Sequence, residues 1–99
     1  MNDLDTRTIT TDARTIQDEL VLTLIKPVKL GDLEFRELTL TEPTMGQLRK
    51  ASKAGAPLDQ LALLISENAR VPQPAVDKMV KRDIERAGDF FAQFESPSL

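Results

Sequence analysis

The chain has 99 residues, a formal net charge of −3, and neither cysteine nor histidine. This length fits one small domain and leaves no room for a large catalytic cleft plus a second domain. Without cysteine there is no disulfide framework or thiolate metal site, and without histidine the commonest general base and metal ligand are missing. The acidic balance argues against nucleic acid as the main partner.

The N-terminal sequence MNDLDTRTIT lacks the charged-then-apolar pattern of a signal peptide. Residues 1–18 are rich in Thr and Asp and show no sustained apolar period, which predicts a flexible N-terminal arm. The alternative is that this arm orders on a partner. We expect a single domain over residues 19–95 and a frayed tail over residues 96–99. No run approaches the ~20 apolar residues that span a bilayer, so we expect a cytoplasmic protein.

Two strand-like runs, VLTLIKPVKL (residues 21–30) and LEFRELTL (residues 33–40), flank Gly31-Asp32. Glycine at the first turn position suits a type II′ β-hairpin. A two-residue turn fixes a register that joins opposite charges and apolar side chains, as cross-strand stabilisation requires. The predicted pairs are Leu30 with Leu33, Lys29 with Glu34, Val28 with Phe35, Lys26 with Glu37, Ile25 with Leu38, and Thr23 with Leu40.

Pro27 interrupts this pattern because it has no N–H group for the strand ladder. In an unbroken register the apolar residues near the turn and those nearer the helices (Ile25, Leu38, Leu40) lie on opposite faces. A bulge at Pro27 brings the two sets back to one face. The alternative is a hairpin tip with its own apolar patch, available to a partner.

Helical signals fill the remainder of the chain. Thr44-Met45-Gly46-Gln47 has the form of a capping box, which predicts a helix from about Thr44 that ends at Gly55. Pro57 then begins the most hydrophobic helix, whose wide apolar stripe predicts a central position.

The Val71-Pro72-Gln73-Pro74 segment breaks that helix, and Pro74 begins a short one that carries Val76, Met79 and Val80. A last helix begins around Asp83 and has Ile84, Ala87, Phe91 and Phe94 on one face. The predicted fold class is α+β, a two-stranded antiparallel β-hairpin followed by a small bundle of three to four helices.

No residue pattern indicates catalysis or a cofactor. The carboxylate neighbours Glu37 with Glu42, or Asp83 with Asp89, resemble an acid/base pair, but a solvated structural role explains them better. Lys26 lies opposite Glu37 in the predicted register, and Asp83 stands where a helix cap is needed.

A small DNA-binding regulator is the alternative function, because basic residues cluster in the helical half. Acidic residues alternate with them, which favours an ordinary mixed surface. The basic set is Arg49, Lys50, Lys53, Lys78, Lys81, Arg82 and Arg86.

One segment resembles a known family. The sequence ELTLTEPT (residues 37–44), with Gly46 and Leu48, follows a basic-Pro step and a Gly-centred hairpin. This order is similar to the tail assembly chaperones of contractile-tailed bacteriophages, including Mu-like prophages, and the resemblance covers residues 22–94. The chain departs from the family at Asn68-Ala69, where relatives tend to have a Thr-Gly step.

The resemblance implies a non-enzymatic assembly factor that needs no cofactor and acts in the host bacterial cytoplasm. Such a protein binds the tape measure protein, helps the tail tube assemble around it, and is absent from the mature virion. A frameshifted longer form contacts the tail tube protein, and this chain would be the short form. Association into a homo-oligomer is a further option, whereas no nucleic acid or membrane partner is implied.

The predicted partner-binding residues are the apolar side chains that a three-helix core uses least obviously. At the hairpin tip and at the end of the last helix they are Val28, Leu30, Leu33, Phe35, Phe90 and Phe94. The alternative is that all six lie in the core.

Overall fold

The computed structural model describes residues 18–94. The predicted arm, apart from Asp18, and the predicted tail lie outside this range.

A two-stranded antiparallel hairpin, β1 (Glu19–Leu30) and β2 (Leu33–Thr41), precedes four helices. The helices are α1 (Met45–Ser52), α2 (Pro57–Ala69), α3 (Gln73–Asp77) and α4 (Lys81–Ala92). The predicted α+β class is confirmed. Within residues 18–94, none of the helices is long and apolar enough to cross a membrane.

The turn of the hairpin has the predicted geometry. Gly31 has a φ of 61° and Asp32 has no positive φ, which is the type II′ pattern. The three pairs next to the turn are confirmed: Leu30 lies opposite Leu33, Lys29 opposite Glu34, and Val28 opposite Phe35.

The register changes at the predicted bulge. Val28 still pairs with Phe35, but the next pair is Thr23 with Glu37, so residues 24–27 face only Arg36. Leu22 therefore lies opposite Leu38 and Leu20 opposite Leu40. The predicted pairs Lys26–Glu37, Ile25–Leu38 and Thr23–Leu40 are wrong, because the bulge absorbs three more residues in β1 than in β2.

The bulge brings the apolar residues of both strands to one face, which the helices cover. Leu22, Leu24, Val28, Leu38 and Leu40 are buried there, whereas Ile25 is 45% exposed. The helices contribute a second set of buried residues: Ala51, Leu64, Ile65, Ala75, Val76, Ala87, Phe90 and Phe91. As predicted, α2 is central, because it packs against α1, α3, α4 and β2.

The capping box at the start of α1 is confirmed. Thr44 Oγ1 accepts a hydrogen bond from Gln47 N at 3.2 Å, and Gln47 Oε1 accepts one from Thr44 N at 3.2 Å. However, α1 ends at Ser52, and Gly55 lies in the following loop with a φ of 95°. Pro57 begins α2 as predicted.

The last two helices differ from the prediction at their ends. α3 begins at Gln73, one residue before Pro74, and ends at Asp77, so Met79 and Val80 follow it. α4 begins at Lys81 and Val80 is its N-cap. The prediction that Asp83 caps this helix is therefore wrong, since Asp83 lies within the first turn.

Candidate functional site

Hydrogen bonds to the side chain of Asp83 link α4 to the bulge of β1. This side chain is fully buried, and both carboxylate oxygens lie 3.0 Å from Ile25 N. Oδ2 also accepts from Lys26 N at 3.4 Å. Arg86 Nη1 donates to Asp83 Oδ1 at 3.1 Å and to Thr23 O at 2.8 Å. The carboxylate thus satisfies N–H groups that the bulge removes from the strand ladder, and the predicted solvated role of Asp83 is wrong.

Asn68 joins three elements in a similar way. It is buried on α2, its Oδ1 accepts from Thr41 N at 2.8 Å, and its Nδ2 donates to Gln47 Oε1 at 2.9 Å. This fixes the end of β2 to the start of α1. Ser66 is buried nearby, and its hydroxyl donates to Val71 O at 2.6 Å. These buried polar side chains stabilise the scaffold because each is hydrogen-bonded, as buried polar groups generally are.

A metal site made of acidic side chains requires several of them to converge on one point. Within residues 18–94 no group of three or more Asp or Glu side chains is arranged to hold a metal ion.

The six predicted partner-binding residues lie in the hairpin and at the end of α4, and they differ in burial. Val28 and Phe90 are buried, Leu30, Phe35 and Phe94 are half-buried, and Leu33 is 56% exposed. The pairs Val28–Phe35 and Leu30–Leu33 place the hairpin residues on the face that is turned toward the helices. We call Leu30, Leu33 and Phe35 the tip patch.

The two aromatic residues lie on α4 or just after it. Phe90 and Phe94 pack edge to face with ring centroids 5.2 Å apart. Burial alone does not test whether any of the six contacts a partner, so that role stays a prediction.

A second apolar surface was missed by the sequence analysis. A groove of about 210 Å³ opens between α2, α3 and α4. We call it the helical groove, and its lining residues are Leu58, Ala62, Val76, Asp77, Met79 and Ile84. Leu58, in the first turn of α2, is 70% exposed. Leu58 belongs to the apolar stripe of α2, and only the packing of three helices reveals that it lies on a surface.

The helical groove and the tip patch are neighbours. Val76 and Met79 line the groove and also pack with Val28 and Phe35 where α3 faces the hairpin. Lys78 Nζ donates to Lys29 O at 3.3 Å, which links the end of α3 to the tip of β1. The two apolar surfaces therefore adjoin the same short helix.

Three of the seven residues in the basic set of the helical half form ion pairs within residues 18–94. Lys50 Nζ lies 3.1 Å from Glu67 Oε2, Lys81 pairs with Glu85, and Arg86 binds Asp83. This arrangement is a mixed surface rather than a basic stripe that would follow a phosphate backbone.

A small α+β domain with exposed apolar surfaces and satisfied buried polar groups is typical of a protein-binding module. The family model described as "Phage tail assembly chaperone proteins, E, or 41 or 14" matches residues 21–96. The chain belongs to this family, which confirms the resemblance inferred from residues 37–44. Neither a curated protein nor a solved structure matches the chain.

Proposed function

We propose that this phage tail assembly chaperone binds apolar segments of the tape measure protein until tail tube subunits enclose them. It acts in the host cytoplasm, without catalysis, and leaves before the virion is complete. The observation that carries the proposal is family membership over residues 21–96 together with large apolar side chains left exposed.

The exposed apolar side chains supply the physical basis for binding. Those that we propose to contact a partner are Leu33 in the tip patch and Leu58 beside the helical groove, which are 56% and 70% exposed. Full burial of a large apolar side chain from an exposed state is worth ~1.5–3 kcal/mol, and these side chains already bury part of that area, so each contact contributes less and several contacts per copy are needed. A tape measure protein that waits for its tube exposes long apolar helical surface, which many small copies can cover.

Among the six predicted residues, the tip patch and Phe94 are the proposed direct contacts. Val28 and Phe90 act indirectly in this proposal. Val28 lies opposite Phe35, and the Phe90 ring packs against Phe94, so each buried residue supports a more exposed one.

Two further partners belong to the same proposal. A frameshifted longer form would contact the tail tube protein through its added domain, and several copies of the short form would associate on one tape measure protein. Mass spectrometry of the products expressed from the intact gene tests the first point. Sedimentation of the purified chaperone–tape measure complex tests the second.

The central experiment is co-expression of the chain with the tape measure protein from the same genome. We expect the wild-type chain to move the tape measure protein into the soluble fraction, and Leu33→Asp to reduce this transfer. Val21→Asp is the matched control, because Val21 is 50% exposed and lies on the opposite face of the hairpin from the buried Leu22.

Circular dichroism must show that each variant is folded before solubility is compared. Equal insolubility of the tape measure protein with and without the wild-type chain would reject the proposal. Binding to duplex DNA that weakens steeply with added salt would instead support the DNA-binding alternative.

A further inference from the structure

We propose that the helical groove binds the apolar face of an amphipathic helix that also carries a Lys or Arg beside Asp77. This inference rests on the proposed function, since the helix would belong to the tape measure protein. The inference places the contact with this helix on the helical groove, which is a different surface from the tip patch.

The lining of the groove favours apolar side chains. Apart from Asp77, the lining residues are Leu58, Ala62, Val76, Met79 and Ile84. Methionine is unbranched and adapts its shape to different partners, which suits a surface that must accept several segments of one long protein. Leu58 is 70% exposed, so a bound helix would cover a large apolar side chain that now faces water.

The walls of the groove favour a helix over an extended peptide. They come from α2, α3, α4 and the short connection between α3 and α4. Helix interiors satisfy their own main-chain groups, so these walls offer no free strand edge for an incoming extended chain. A helix brings its own main-chain hydrogen bonds and presents only side chains, which is the helix-in-groove mode of recognition.

Asp77 adds a charge preference. It is exposed, and none of the ion pairs found within residues 18–94 includes it. A carboxylate at the edge of an apolar surface attracts a cationic side chain, and partial desolvation by the bound helix strengthens that attraction. The expected partner therefore has apolar residues at i, i+3 and i+4 with a flanking Lys or Arg.

Overlapping peptides of about 20 residues from the tape measure protein, long enough for several helical turns, are the probes. The full chain is titrated against each fluorescently labelled peptide by anisotropy. We expect the peptides that bind to be amphipathic and to carry a basic residue. Leu58→Asp should weaken their binding about tenfold or more, because it places a charge where an apolar contact forms.

Met45→Asp is the matched control for Leu58→Asp. Met45 is 64% exposed and, like Leu58, lies in the first turn of a helix, but it does not line the groove. An acidic residue in a first helical turn is compatible with the helix dipole, so both variants should fold. Unchanged binding by Met45→Asp and weakened binding by Leu58→Asp support the groove.

Charge exchange tests the role of Asp77. Asp77→Lys should weaken binding, and replacing the basic residue of the peptide by Glu should restore it. Absence of this restoration would overturn the charge preference.

Two results would overturn the groove while leaving the proposed function intact. In the first, Leu33→Asp abolishes peptide binding and Leu58→Asp does not. In the second, no peptide binds although the chain solubilises the full-length tape measure protein. Failure with both the peptides and the full-length protein would reject the proposed function itself.

Discussion

The base and the tip of the hairpin have similar alternating sequences but different surroundings. The base comprises residues 19–24 of β1 and 37–41 of β2, and its Leu22, Leu38 and Leu40 are each at most 4% exposed. The tip comprises residues 28–35, where Leu33 is 56% exposed although it shares the helix-side face with the buried Val28. Helices cover most of the apolar face of the base but only part of the apolar face of the tip. An alternating pattern therefore identifies a face, whereas its burial depends on what packs over it.

The bulge separates these two regions, and side chains of α4 form hydrogen bonds with its main chain. Asp83 and Arg86 bind the main chain of Thr23, Ile25 and Lys26, all within or next to the irregular segment. The base thus acts as the foundation on which the helices pack, and the tip extends from it. Substitutions in the two regions should differ sharply in their effect on stability.

The largest expected effect is at the base. Leu40 on β2 is fully buried in the core, and Leu40→Ala should lower the free energy of unfolding by about 2–5 kcal/mol, through lost burial and the cavity left behind. Urea denaturation measures this, and an unchanged slope would show that both proteins expose the same surface on unfolding, so that the shift in midpoint reports stability. A loss below about 1 kcal/mol would mean that the base is not the foundation described above.

The next effect is expected at the bulge. Asp83→Ala should cost roughly 2–4 kcal/mol, because hydrogen bonds to a charged group are lost and Ile25 N–H is left without its acceptor. Asp83→Asn keeps one acceptor oxygen and should cost less. The amide of Ile25 should exchange with solvent faster in Asp83→Ala, as measured by hydrogen exchange. Equal exchange rates in the wild type and Asp83→Ala would contradict this role.

Features of the fold that depend on neighbouring residues were predicted better than features that depend on residues far apart in the sequence. Gly31 fixed the turn and Thr44 with Gln47 fixed the start of α1, because each depends on neighbours within a few residues. The register beyond Pro27 was not predictable in the same way, since it depends on Asp83, 58 residues away from Ile25. An aspartate on the apolar stripe of α4, with Ala87 and Phe90, was a signal of burial that the cap interpretation overlooked.

Prediction of the candidate binding surfaces was likewise restricted to the surface that depends on neighbouring residues. The tip patch was predicted because it follows from pairing across a two-residue turn. The helical groove was not, because it requires the relative positions of α2, α3 and α4, which no local pattern specifies.

A smaller effect is expected at the turn itself. Gly31 has a φ of 61° and open space around its Cα, so Gly31→Ala meets no clash and only strains the backbone. This strain should cost about 1–2 kcal/mol in thermal or urea unfolding. Gly46→Ala is the control, since Gly46 is helical and an added Cβ lies 3.9 Å from Thr44 Oγ1. That variant should be neutral or slightly stabilising, and an equal loss in both variants would contradict the turn geometry.

The smallest effect on stability is expected for Leu33→Ala, the tip counterpart of Leu40→Ala. Because Leu33 is 56% exposed, its removal should change the free energy of unfolding by no more than about 0.5 kcal/mol. The same variant should solubilise less tape measure protein if the tip patch is a contact surface. Parallel urea titrations and co-expression assays of Leu33→Ala and Leu40→Ala separate the two properties. If Leu33→Ala lost as much stability as Leu40→Ala, the tip would belong to the core, and its apolar side chains would not be free to bind a partner.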